Sequence, residues 1–465
     1  MMASLVRHEL AILSRDPRAL WALLGLAVLI LASFTSLSLG AARDGADKRA
    51  VASAERQRWV GQGEKDPHSA AHYSIFAFKP PPALYALDPG VTPFVGQSVW
   101  LEAHHQNDML DRPQQGASLL QRAGLASPAS LIFSFGPLVA FLLAFGMVAQ
   151  DRDQGTLRLA LGTALRAWRI VWTKVAALWA ATVVTLVLPV TLAASVSILF
   201  NGVMDGDVLL RLLLWASLGV CYLAVFAGAG IAVALAARDA RLALTLLFTA
   251  WIVLVLIAPR VTSTAVDMAR PLPSSQAVRQ QMLDEAPAYW TAEDTAKHQA
   301  ELLAQYGVAR IEDIPNFRMA ELDLVERHSH RVFDRVLGAF YVRVADQDRL
   351  FAHLGFLSPA TAAQTLSAAA TGSDFAHHRT FIDFAERYRR DLVGRMNADG
   401  MAHAAGGPER HTNDATLWSQ IPPFHYVAPR LGVGFRTGAT AGLALGLWIS
   451  AAALALVATG RKLRP

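Results

Sequence analysis

One cysteine in 465 residues, Cys221, leaves no second thiol for an intrachain disulfide, so any domain outside the membrane must fold on an apolar core alone. Phosphate-binding Gly-x-x-x-x-Gly-Lys-Ser/Thr is absent, which excludes the usual kind of ATPase. His-Glu-x-x-His, Cys-x-x-Cys and Gly-x-Ser-x-Gly are absent too. No internal repeat is visible. Charge is scarce in a patterned way. Six apolar runs, Ala19 to Gly40, Ala129 to Ala149, Val175 to Phe200, Leu212 to Ala237, Leu242 to Pro259 and Thr437 to Gly460, contain no Asp, Glu, Lys, Arg or His.

Each run is about long enough to cross a hydrocarbon core of about 30 Å as a helix. Their flanks carry opposite balances. Arg7, Arg15, Arg18, then Arg152, Arg158, Arg166, Arg169, Lys174, then Arg238, Arg241, and finally Arg461, Lys462 and Arg464 fall on one side under strict alternation. The short flank Asn201 to Arg211 on the other side holds Asp205 and Asp207 against a single Arg211. Positive-inside bias therefore predicts cytoplasmic termini. The first run exceeds the apolar core of a secretory signal and is expected to stay as an anchor.

A chain that is 53% hydrophobic and 17% charged must place its charge in extramembranous modules. The expected fold class is an all-α polytopic membrane protein with six transmembrane helices and a mainly helical extracytoplasmic domain. Residues 1–40 form an interfacial helix and the first span, and 41–128 a first extracytoplasmic insertion. Residues 129–259 hold spans two to five, 260–436 a second insertion, and 437–465 the last span and a cytoplasmic tail. Both insertions fall on one side and can pack together. Basic residues flank spans instead of clustering on one helix, so nucleic acid is not an expected partner, whereas membrane lipid is.

Local patterns fill in the picture. Leu5, Val6, Leu10, Ile12 and Leu13 against Arg7, His8, Glu9 and Arg15 predict a short helix in the headgroup region, turning at Asp16-Pro17, where Asp16 caps the next helix. In the second insertion, Leu322, Val325, Val332, Val336 and Phe340, then Phe381, Phe384, Tyr388 and Leu392, recur at helical spacing. Asp383 with Arg387 and Glu386 with Arg390 are expected on the solvent side. Lys79-Pro80-Pro81-Pro82 and Asp88-Pro89-Gly90 predict irregular or strand-like structure in the first insertion. Pro137 and Pro189 are candidate kinks in spans two and three.

Between spans two and three runs Asp151-Arg152-Asp153-Gln154-Gly155-Thr156-Leu157-Arg158-Leu159-Ala160-Leu161-Gly162, with Leu157, Leu161, Leu165 and Trp168 on one helical face. This segment resembles the ABC-2 class of ATP-binding-cassette permeases, in which an acidic-basic stretch with Gly-Thr-Leu, a short cytoplasmic helix and a Lys opening the third span follow the second span. Glu9 matches an acidic residue of that class in the N-terminal helix, while Gln154 departs from its usual charged residue. The resemblance covers the spans and cytoplasmic segments, a little over two-fifths of the chain. It implies a permease subunit without catalytic residues or cofactor of its own, served by a separate ABC ATPase subunit. The contacts would run through Asp151, Arg152, Gly155, Thr156, Leu157, Leu161, Leu165, Trp168 and Glu9. A second permease copy or a homologous permease is the implied partner. Leu357-Ser358-Pro359-Ala360 and Thr371-Gly372-Ser373-Asp374 leading to Phe381 and Glu386-Arg387-Tyr388-Arg389 resemble a subgroup with a large extracytoplasmic domain of unassigned function. That subgroup is related to multicopper-enzyme-maturation permeases.

Two rival classes remain: a membrane-anchored assembly or scaffold factor whose extracytoplasmic domain binds a partner protein, and an ion-coupled carrier. Uncharged spans argue against the carrier, which keeps ionisable groups at membrane depth. All histidines but His8 lie in the insertions. His104-His105, His328-x-His330 and His377-His378 follow no ligand spacing, so no metal site is expected. Gly434, Gly438, Gly442 and Gly446 mark a surface for close helix packing, within the protomer or across a dimer.

Overall fold

The computed structural model describes residues 2–112, 127–162, 167–287, 290–403 and 411–463. The chain is an all-α polytopic membrane protein, with six helices long and apolar enough to cross a membrane. The N-terminal helix α1 (Met2–Arg15) meets α2 (Pro17–Val60) at a corner where the Asp16 carboxylate accepts from the backbone N–H of Arg18 at 2.9 Å. The remaining spans are α4 (Pro128–Asp153), α6 (Ala167–Phe200), α7 (Gly206–Ala236), α8 (Ala240–Ala269) and α15 (Phe435–Lys462). Helix α3 (Pro67–Tyr73) and the two-stranded sheet β1 (Phe76–Phe78) with β2 (Ser98–Trp100) belong to the first insertion. A six-residue helix, α5 (Thr156–Leu161), joins spans two and three.

The second insertion supplies α9 (Ser275–Glu285), α10 (Ala292–Tyr306), α11 (Phe317–His353), α12 (Pro359–Thr371), α13 (Phe375–Ala402) and α14 (Ala415–Trp418). Trp59, Ala71 and Leu101 from the first insertion share one buried cluster with Phe381, Leu392, Met396 and Trp418 from the second, so the insertions form a single domain on one face of the bundle. Burial departs from the spacing in places. Val332 and Val336 are buried, but Leu324 takes the buried place expected of Leu322.

Glu386 is a larger departure. It lies 9% exposed instead of facing solvent, paired with Arg389 at 2.7 Å and Arg390 at 2.7 Å, and Asp383 pairs with Arg379 in place of Arg387. Burial works to raise the Glu386 pKa, yet the Arg389 and then the Arg390 guanidinium hold it below the ordinary carboxylate value. Arg389, 1% exposed, also donates to the carbonyls of Glu102 (3.1 Å) and Ala103 (2.6 Å), stitching the two insertions together.

Three backbone features were hidden in the sequence. Helix α2 does not stop at Gly40 but continues through polar residues, with Asp44 and Lys48 paired at 2.6 Å on consecutive turns, to Val60 inside the domain. Spans three and five each contain a π-helical turn, Val183–Val187 before Pro189 and Ile252–Ile257 before Pro259. A proline has no N–H and collides with the carbonyl four residues back, so the wider turn relieves both problems. Pro137 is carried inside α4 without such a turn. Finally, the Ala-rich α12 is buried on nearly every side between the domain-face ends of α4, α7 and α15. Its Ser358 side chain caps the first turn, accepting from Ala360 at 3.1 Å and Thr361 at 3.3 Å, and Gly372 closes it at φ +75°.

The glycine row of the last span splits. A Cβ at Gly434 would lie 2.7 Å from Asp374 and one at Gly438 3.9 Å from Ala369, so these two pack on α12 and α13 of the same chain. Gly442 and Gly446 face open space. Four residues advance a helix by slightly more than one turn, so the row drifts from the protomer interior to its surface.

Candidate functional site

On the bundle face away from the domain, α1, α5, the start of α6 and the end of α15 come together, with Gly460 beside Val171. Lys174, 1% exposed, is the hub. Its Nζ lies 2.9 Å from Glu9 Oε1 on α1 and 2.6 Å from Asp151 Oδ2 at the end of α4. The other Asp151 oxygen accepts from the Thr156 hydroxyl at 2.9 Å. Arg152 donates at 2.7 Å to the carbonyl of Leu235 in the last turn of α7, one of the carbonyls that a helix end leaves without an intrahelical partner. Gly155 makes the turn from α4 into α5 at φ +72°, where a side chain would strain the backbone. With Lys174, Glu9, Asp151, Arg152, Gly155 and Thr156 therefore form one junction between five helices.

The apolar residues behave differently from their spacing. Leu157 is buried against the protein's own bundle and Leu161 is half-buried there, while Leu159 projects outward, 72% exposed. Trp168 stands on α6, not α5, and is 44% exposed. Leu165 lies outside the described residues. A six-residue helix cannot carry a stripe from Leu157 to Trp168. The outward surface is made of Leu159 and Arg158 instead. Gln154 is exposed, and its backbone N–H donates to Gln150 O at 3.0 Å.

At the opposite end of the bundle a cavity of about 840 Å³ opens between α2, α4, α11, α12 and the loop around Asp88. Leu37, Phe94, Phe133 and Phe351 make its walls apolar, and Asp88, Asp348 and Asp374 place three carboxyls on them. Asp88 bonds Ser367 and accepts from Gly90 N at 3.0 Å, and its pKa is raised by burial. Asp348 is pushed up to about 7, by burial first and the nearby Asp374 charge second. Between about pH 4 and 7 the folded chain holds a proton on Asp348 that the unfolded chain has released, so this residue lowers stability progressively as pH rises through that window. Asp348→Asn is expected to raise stability at pH 8 by about 1–2 kcal/mol, with the gain shrinking at pH 5, as thermal unfolding of the detergent-solubilised protein at the two pH values would measure.

One of the three histidine groups singled out by sequence, His377-His378, contacts cations. His377 lies 3.2 Å from the Arg211 guanidinium, and His378 lies 3.2 Å from Lys79 Nζ. Burial and then the Lys79 charge push His378 down to about 3, and burial with Arg389 and Arg390 pushes His330 down to about 4. His328 makes ring contact with Trp290 and His298. His104 instead joins His68 and His72, a grouping that adjacency in sequence did not reveal.

Residues 276–427 match the model of a family described as a domain of unknown function, DUF3526, which spans α9 to the segment just before the last membrane helix. No curated protein and no solved structure matches the chain.

Proposed function

We propose that this chain is the permease subunit of an ABC-2 type transporter in a bacterial inner membrane, moving its substrate with ATP hydrolysed by a separate subunit. Its termini are then cytoplasmic and its domain extracytoplasmic, the orientation that the Arg and Lys flanks favour. The observation that carries the reading is the Lys174 junction. A helix lying at the membrane surface, the end of span two and the start of span three meet at one buried cation, directly beside a short helix with an exposed leucine. Pressure on α5 or α1 is thereby passed to three spans at once. The chain works as a dimer or beside a homologous permease, above two ATPase subunits, and the cavity at the domain face is where substrate is received or released.

Leu159→Asp tests this. An apolar contact cannot absorb an unpaired carboxylate without a large desolvation cost, so co-purification with the ATPase and stimulation of its turnover should fall at least about 10-fold. Membrane insertion should be unchanged, since Leu159 is 72% exposed and belongs to no buried cluster among the described residues. Normal coupling in this variant would move the ATPase interface off α5.

A further inference from the structure

Three imidazoles from separate parts of the first insertion converge at the edge of the domain. His68 and His72 are four residues apart on α3, which places them on one helical face, and His104 comes from the segment after β2. The ring centroids of all three pairs are 4.6 to 5.0 Å apart, and one ring nitrogen from each lies within 4.8 Å of the others. The Nε2 atoms of His68 and His72 are 3.2 Å apart. Two nitrogens bound at 2.0 to 2.1 Å to one tetrahedral ion are separated by about 3.3 Å, so this pair already stands at ligand spacing.

The surroundings fit an ion better than a plain hydrogen-bond network. His68 Nδ1 lies 3.0 Å from Asn397 Oδ1, which holds its proton there and leaves Nε2 with a free lone pair. Asn397 in turn donates to Glu326 Oε2 at 2.6 Å. Glu326 is 5% exposed, and its second oxygen, Oε1, has no hydrogen-bond partner among the described residues although it lies 3.5 Å from His104 Nδ1. A buried carboxylate oxygen left unsatisfied beside three imidazoles is a costly arrangement for an empty pocket.

We propose that His68, His72 and His104 bind a divalent transition-metal ion, with Glu326 beside His104 as the carboxylate that completes or neutralises the site. Imidazole and carboxylate donors without sulfur, at tetrahedral spacing, select zinc among the common ions. His72 is exposed, so the ion is reached directly from solvent. His68 also borders a cavity of about 450 Å³ lined by Trp290 and His298. The second histidine-carboxylate group, Asp399 with His403 and His411, has its Asp399 oxygen already engaged by His411 at 2.8 Å and Asn413 at 3.4 Å, and serves as the comparison.

The test uses the full chain purified in detergent, stripped with a chelator and titrated with Co(II), whose visible absorption reports tetrahedral nitrogen ligation, then displaced by zinc. One equivalent is expected to bind, and zinc to raise the melting temperature. His72→Ala, at an exposed position, should keep the metal-free melting temperature while weakening binding at least about 100-fold and removing the zinc-induced rise; Glu326→Gln should weaken binding about 10-fold. His403→Ala should change nothing. Absence of stoichiometric binding, binding unaffected by His72→Ala, or binding lost in His403→Ala would each overturn the proposal.

Discussion

Lys174→Met should be the most damaging single substitution at the end of the bundle away from the domain, costing about 3–5 kcal/mol of stability, the scale observed when one partner of a buried ion pair is removed. Glu9 and Asp151 both contact the Lys174 nitrogen, at 2.9 and 2.6 Å, so without it two carboxylates face each other in a pocket that only a cation had made tolerable. Thermal unfolding in detergent would measure the loss. Adding Glu9→Gln and Asp151→Asn should recover most of it, because the repulsion disappears with the charges. The combination separates two roles. A stabilised triple variant that still drives no transport assigns the ion cluster to coupling, whereas one that regains coupling reduces it to a structural pin.

Arg211→Ala should be comparably severe at the other end of the bundle, at about 3–5 kcal/mol. Arg211 is 5% exposed, pairs with Asp207 at 2.5 Å, and donates to the carbonyls of Pro429 at 3.0 Å and of Ala370 and Ala369, at the C-terminal end of α12, at 3.4 and 3.5 Å. One guanidinium therefore ties span four, α12 and the approach to the last span. Lysine offers a point charge without the planar fork, so Arg211→Lys should restore little. Limited proteolysis between residues 411 and 430 should accelerate in both variants. Wild-type resistance in Arg211→Ala would mean that packing alone seats the domain.

The spans were legible because hydrocarbon demands about 20 apolar residues of any helix that crosses it, whatever its neighbours. Glu9, Asp151 and Lys174 were each noticeable as charged residues at span borders, but nothing local pairs residues so far apart along the chain. Leu157 and Leu161 form an apolar stripe because they pack on their own bundle, so the stripe pointed away from the outward surface where Leu159 stands. Histidine adjacency was uninformative for a similar reason. Neighbours such as His377 and His378 point to different partners on a helix, whereas the four-residue interval of His68 and His72 is the spacing that places two rings on one face. Glu386 was misplaced because its two arginines, three and four residues on, permit burial of a carboxylate that would otherwise stay in water.

The first span is an unbroken rod of 44 residues, about 66 Å from end to end. Its lower end turns at Asp16 into the helix that holds Glu9, and its upper end is keyed into the domain by Trp59, whose indole N–H donates to Trp418 O at 2.9 Å. A rod converts angle into distance. A tilt of about 5° pivoting at Asp16 carries Trp59 sideways by about 6 Å, enough to shift the domain by more than the width of a side-chain contact with no residue of α2 changing conformation.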